Sequence, residues 1–157
     1  DVPLKDRPEL EHRRAEFVGF PNAQKKPFVL IGSHLADSTF WHGEKMTQFG
    51  NDWTSFWTEG KGNFVTKAME DSGTLQALKN LDNAGKVDYD RVMILRTAAN
   101  YTMPSPGMTA YESLARERGA SLSAFIESLE AAFSLGNTVV QELLTNWEKY
   151  EDKIPTR

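Results

Sequence analysis

Phe28-Val29-Leu30-Ile31-Gly32-Ser33 is a compact apolar run closed by a turn pair. Pro27 bounds it on one side and Gly32 on the other, so the run predicts a buried strand over 28–31. Downstream, Met46, Phe49, Trp53, Phe56 and Trp57 recur at spacings of three and four. That period predicts an amphipathic helix over 42–58 whose aromatic side chains pack into a core. Gly60-Lys61-Gly62 is a turn, and Asn63 is a suitable cap for a helix over 64–82. Val65, Ala68, Met69, Leu75, Leu78 and Leu81 lie near one face of that helix, and Asn83-Ala84-Gly85 ends it. Arg91-Val92-Met93-Ile94-Leu95 predicts a second strand. Pro104, Pro106 and Gly107 make 98–109 a loop. Two helices, over 121–133 and 135–151, close the chain. Upstream, residues 1–27 are polar and carry four prolines, which predicts an extended segment with a short helix over 9–17.

The order strand, helix, helix, strand, loop, helix, helix is an α/β layout. Two strands do not make a stable sheet. Helices on both faces need a wider sheet to cover. The pattern therefore expects further strands from elsewhere.

A chain of 157 residues is long enough for one domain with its own core. A net charge of -4 argues against a nucleic-acid or anionic-membrane surface, which needs clustered Lys and Arg. Arg13-Arg14 and Lys25-Lys26 are short, mixed with Glu, and read as solvated surface. No apolar stretch approaches the roughly 20 residues that span a bilayer, and no signal-peptide pattern is present. A chain starting at Asp1 predicts a processed product. With no cysteine, thiolate metal sites are excluded.

His34 and His42 stand eight apart with no carboxylate at helical offset. They predict hydrogen-bonded imidazoles rather than a metal site. Ser33, His34 and Asp37 are neighbours in sequence, whereas a hydrolase triad needs partners that converge in space. Gly60-Lys61-Gly62-Asn63 lacks the spacing of a phosphate loop. The segment Gly32 to Gly43 follows a predicted strand end, where open α/β sheets bind ligands. Its Phe40 and Trp41 either plug the core or stack on a planar ligand; the pattern leaves both open. Glu70 and Asp71 are adjacent carboxylates on a mostly apolar helix. A buried carboxylate there needs a partner, so an ion pair, functional use and plain solvent exposure all remain open.

Three blocks carry a resemblance. They are Gly32-Ser-His-Leu-Ala-Asp-Ser-Thr-Phe-Trp-His-Gly43, Met69-Glu70-Asp-Ser-Gly-Thr74, and Val92-Met-Ile-Leu-Arg96-Thr-Ala-Ala-Asn100-Tyr-Thr-Met-Pro-Ser-Pro-Gly107. Together they resemble the fungal and bacterial purine nucleoside permease family over nearly the whole chain. That family is similar, more distantly, to nucleoside phosphorylases and nucleosidases. The resemblance implies a three-layer nucleoside phosphorylase-like sandwich, of which 1–157 supplies the C-terminal strands and helices. It implies a purine nucleoside as ligand, Met69 against the ribose, Glu70 on the ribose hydroxyls, Asn100 on the purine, and Phe40 or Trp41 stacked on the base. Ser33, at the head of the same loop, completes the implied substrate-binding set.

Cleavage of the N-glycosidic bond, with Glu70 and Asn100 as catalytic residues, is the function expected from this likeness. An ionised Glu70 would favour the positive charge that develops on the sugar. The amide of Asn100 can both donate to and accept from a 6-oxopurine. No cofactor is implied beyond phosphate as a co-substrate. The alternative is a non-catalytic nucleoside binder linked to uptake, secreted or in the cell envelope, without a membrane span of its own. The implied partner is the N-terminal fragment of the same precursor or another subunit. Asn100-Tyr101-Thr102 is also a glycosylation sequon; burial of Asn100 is expected to leave it unmodified.

Overall fold

A computed structural model describes residues 2–117 and 124–153. Its elements are α1 (Pro8–Ala15), β1 (Ser33–Ala36), α2 (Glu44–Trp57), β2 (Phe64–Ala68), α3 (Asp71–Asn83), α4 (Ala110–Glu117) and α5 (Phe125–Thr145), with short 3-10 turns at Tyr89–Arg91 and Trp147–Lys149. β1 and β2 pair in parallel, with His34 beside Thr66, Leu35 beside Lys67 and Ala36 beside Ala68. α2 is the crossover between them, so β1-α2-β2 is a parallel βαβ unit. The two strands end level, and their continuations, Asp37 and Met69, leave side by side.

Local chemistry explains several elements. Pro8 opens α1 with its φ already helical. Glu9 and Glu11 in its first turn and His12, Arg13 and Arg14 in its last complement the helix dipole. At the end of α3, Lys86 N donates to Leu81 O and Gly85 N to Asp82 O, with Gly85 at φ 67°. That is the glycine stop predicted at Asn83-Ala84-Gly85. α4 begins with a reciprocal cap. Glu112 N donates to Thr109 Oγ1 at 3.2 Å, and Thr109 N donates to Glu112 Oε2 at 2.8 Å.

The largest correction concerns residues 64–82, predicted as one helix. Phe64-Val65-Thr66 are strand formers, and pairing with β1 prevails over the helical spacing of Val65, Ala68 and Met69. Met69-Glu70 is therefore the junction between β2 and α3, not mid-helix. The strand predicted over 28–31 lies instead at 33–36, and 91–95 forms no strand. Both apolar runs lack a neighbouring strand among the described residues, and without ladder partners they take no regular structure. The helices predicted over 121–133 and 135–151 are one helix, α5, because nothing at Ser134-Leu135-Gly136 breaks it. Residues 121–123 lie outside the described residues. The aromatic face of α2 is also not core: Phe49, Trp53, Phe56 and Trp57 are exposed, while Gly50 and Thr54 are buried.

The buried apolar centre is small and sits elsewhere. Leu10 of α1 and Phe17 just beyond it are buried. Phe17 packs on Tyr101 with ring centroids 4.0 Å apart, and Tyr101 donates to Ala23 O at 2.7 Å. Ion pairs fasten the N-terminal segment around this point. Arg14 grips Asp6 through both nitrogens, Arg116 of α4 grips Glu16 at 2.9 and 3.1 Å, and Lys5 reaches Glu130 of α5 at 2.7 Å.

Gly32 marks a tight crossing. A Cβ there would stand 2.1 Å from Val65 Cγ2 and 3.1 Å from Asn63 O. Val65 is β-branched and cannot swing aside freely. Gly32→Ala should therefore lower stability by about 1–3 kcal/mol. Gly73, inside α3, has open space around a Cβ. Gly73→Ala should raise stability by about 0.5–1 kcal/mol through helix propensity. Urea midpoints of the two variants should move in opposite directions.

Candidate functional site

Parallel strands present their ligands at the carboxyl ends. Here those ends carry Asp37, Thr39, Phe40 and Trp41 after β1, and Met69, Glu70 and Asp71 after β2. The centre of the cluster is Asp71, the first residue of α3, whose side chain is 12% exposed. Arg96 Nε donates to its Oδ2 at 2.7 Å, and Arg96 Nη2 meets its Oδ1 at 2.5 Å, a two-pronged clamp. His34 Nε2 lies against the same carboxylate. The other ring nitrogen, Nδ1, is 2.7 Å from Thr66 Oγ1 across the sheet. The Arg96 hydrogen bonds hold the Asp71 carboxyl below the usual carboxylate range against the opposing effect of burial, and the charges of Arg96 and His34 add to the lowering.

Glu70 precedes Asp71 and points outward, its side chain 63% exposed. Its Oε2 accepts from Met69 N and from Arg96 Nη2, each at 3.3 Å. Backbone amides and then Arg96 lower its pKa, so it is ionised near neutrality. Oε1 has no hydrogen bond among the described residues and is free to accept one.

The loop after β1 is fixed by Lys67, whose side chain is only 4% exposed. Its ammonium donates to Thr39 O and to Asp37 Oδ1 and sits 5.3 Å over the Trp41 ring. A buried ammonium is tolerated because these partners replace its water. Trp41 also meets Phe49 edge-on at 5.4 Å, so it is bound into the aromatic row of α2. Phe40 is 55% exposed and, among the described residues, makes no ring contact. Of the two candidate stacking rings, Phe40 is the uncommitted one.

Two predicted site residues fall elsewhere. Ser33 sits at the opposite end of β1, beside Asn63. Three residues of strand put it about 10 Å from the ligand end, so Ser33 does not join the cluster. Asn100 lies on the exposed loop that Arg96 leads into. It is not buried, which corrects the basis for expecting an unmodified sequon. His34 and His42 do not converge either: His34 lies against Asp71 and bonds Thr66, while both ring nitrogens of His42 are buried without a partner among the described residues. Among those residues no group of three His, Cys, Asp or Glu could hold a metal. A separate depression of about 660 Å³, lined by Glu16, Ser105, Met108, Tyr111 and Arg116, contains none of the candidate residues.

Comparison with known proteins gives these blocks a family. The family model described as purine nucleoside permease matches residues 1–155. The chain belongs to the purine nucleoside permease family. It is similar to the purine nucleoside permease of Candida albicans, at 32% identity over 127 residues, 81% of this chain and 30% of that protein. It is also similar to a probable purine nucleoside permease of Schizosaccharomyces pombe, at 24% identity over 147 residues, 94% of this chain and 41% of that protein. The chain thus spans well under half the length of these relatives. No solved structure matches it.

The family corrects one expectation. The matching family and relatives are named for nucleoside permeation, and none of them as a phosphorylase or nucleosidase. Cleavage of the glycosidic bond, with Glu70 and Asn100 as catalysts, is therefore not the function supported. Among the described residues, no helix is long and apolar enough to cross a membrane.

The Asp71 clamp generates a pH-dependent prediction. A carboxyl whose folded pKa lies below its ordinary 3.8 adds stability above that value and loses it as pH falls through the depressed one. Asp71→Asn should cost about 1.5–3 kcal/mol at pH 7. The gap to the parent chain should begin to narrow as pH falls below 3.8, where the unfolded carboxyl is protonated, and close once pH passes the depressed folded value. Urea titrations at several pH values measure this gap; a constant gap would contradict the clamp.

Proposed function

We propose that this chain contributes to a purine nucleoside-binding site that serves nucleoside uptake, located where β1 and β2 end. Glu70 accepts hydrogen bonds from the ribose hydroxyls, Met69 lies against the sugar, and Phe40 stacks on the purine. Asn100, on the loop beyond Arg96, meets the polar edge of the base. An uptake role puts this binding step at the cell envelope or outside it, where the nucleoside is first met.

One observation carries the reading. Glu70 is an ionised, outward-facing carboxylate with one oxygen held by Arg96 and a backbone amide and the other free. An oriented acceptor of this kind suits a vicinal diol, because charge-assisted hydrogen bonds are stronger than neutral ones. Its neighbour across the parallel strands is the loop with the uncommitted Phe40 ring. The relatives' names supply the purine nucleoside; the carboxylate and the ring supply a sugar contact and a base contact.

Isothermal titration of the protein with inosine, with its 2',3'-dideoxy analogue and with hypoxanthine tests the assignment. Glu70→Ala should weaken inosine roughly 10- to 100-fold, the equivalent of losing a charged acceptor. It should leave hypoxanthine and the dideoxy analogue unchanged. Phe40→Ala should weaken all three. Inosine affinity unaltered in Glu70→Ala would sink the reading.

A further inference from the structure

A folded chain of this mass ordinarily exposes about 8,000 Å². This one exposes 11359 Å². The excess of roughly 3,000 Å² is several times the ~800 Å² that one partner buries in a stable interface of standard size.

Two of the apolar runs in that surface have the composition of strands and the backbone of neither strand nor helix. Phe28-Val29-Leu30-Ile31 is exposed throughout, Ile31 at 73%. Met93-Ile94-Leu95 is exposed as well. Among the described residues, the backbone N–H and C=O groups of 28–32 and 93–98 make no hydrogen bonds. An aliphatic run with a free backbone is a template for strand addition. Each run adjoins the sheet cluster: 28–32 leads directly into β1, and Leu95 is followed by Arg96, which grips Asp71. A two-stranded parallel sheet is itself an incomplete unit, since parallel sheets are covered on both faces.

We propose that 28–31 and 92–95 are strands of a wider sheet, and that their neighbours come from the part of a family-length polypeptide outside these 157 residues. The matched relatives are long enough to supply it, because the aligned regions occupy only 30% and 41% of them. A second copy of this chain fits less well, since it brings only the same two unpaired runs. The exposed faces of α2 and α5, with Trp53, Phe56, Trp57, Ile126, Leu129 and Phe133, are then the layer that the added polypeptide covers. This completion is also what the three-layer architecture would require, and it stands whether or not the ligand is a nucleoside.

Co-expression tests it. The chain is produced alone and together with the Candida albicans permease from which the matched 127 residues have been removed. A 1:1 complex is expected by native mass spectrometry. In it, amide exchange over 28–32 and 93–97 should slow at least 100-fold relative to the chain alone. Leu30→Pro and Ile94→Pro each remove an N–H that bonds nothing within the described chain. They should leave the circular dichroism of the chain alone unchanged and weaken the complex at least 10-fold. Glu70→Ala should form the complex normally, which separates failure of this inference from failure of the nucleoside site. A homodimer that protects the two runs, a complex that leaves them fast, or no complex would overturn the proposal.

Discussion

Three separated pieces of chain meet at the Asp71 carboxylate. His34 comes from the first strand, Asp71 itself opens the helix after the second, and Arg96 arrives from the segment beyond. The β1–β2 ladder aligns the first two pieces, and the charge cluster ties the Arg96 segment to them. The clamp also fixes Glu70, because Arg96 spans both carboxylates with one guanidinium. Its planar fork suits this task, and a lysine would supply charge without the two-pronged geometry. The outward direction of Glu70 is thus a consequence of the inward direction of Asp71.

The second constraint is the parallel register of β1 and β2. It sets His34 beside Thr66 and brings Lys67 under the loop that leaves β1. Lys67 then holds Asp37, Thr39 and Trp41 at once, which leaves Phe40 as the free ring. Shifting a strand by one residue would turn every side chain to the other face. The irregularity between Ser33 and His34 absorbs such a step at the far end, away from the cluster.

Local signals made some of this legible. The Gly85 stop and the Pro104–Gly107 loop are read from single residues with fixed backbone preferences, and each is where the sequence predicts. α4 had a local signal too, the Thr109-x-x-Glu112 capping box, which apolar periodicity alone passes over. The 64–82 misreading has a tertiary cause: helical spacing and strand composition compete at Phe64-Val65-Thr66, and a strand from elsewhere in the chain decides between them. The site divides in the same way. Met69-Glu70, Phe40 and Trp41 are visible as motif residues, while the buried carboxylate turns out to be Asp71 rather than Glu70. That its partner is Arg96, and that Lys67 and His34 complete the cluster, depends on register and loop path, which no local pattern encodes.

The apolar runs at 28–31 and 92–95 are the instructive failure. Their residue types are those of buried strands, and the energetic reason for burial is unchanged by the absence of a neighbour. An aliphatic side chain gains about 25 cal/mol for each Å² removed from water, but only if another surface is there to receive it. A backbone run likewise becomes a strand only when its N–H and C=O groups find a ladder. Sequence composition therefore reports the environment for which a segment is suited, while the structure of these 157 residues reports the partners at hand. The disagreement is plainest in the two runs at 28–31 and 92–95 and on the exposed faces of α2 and α5.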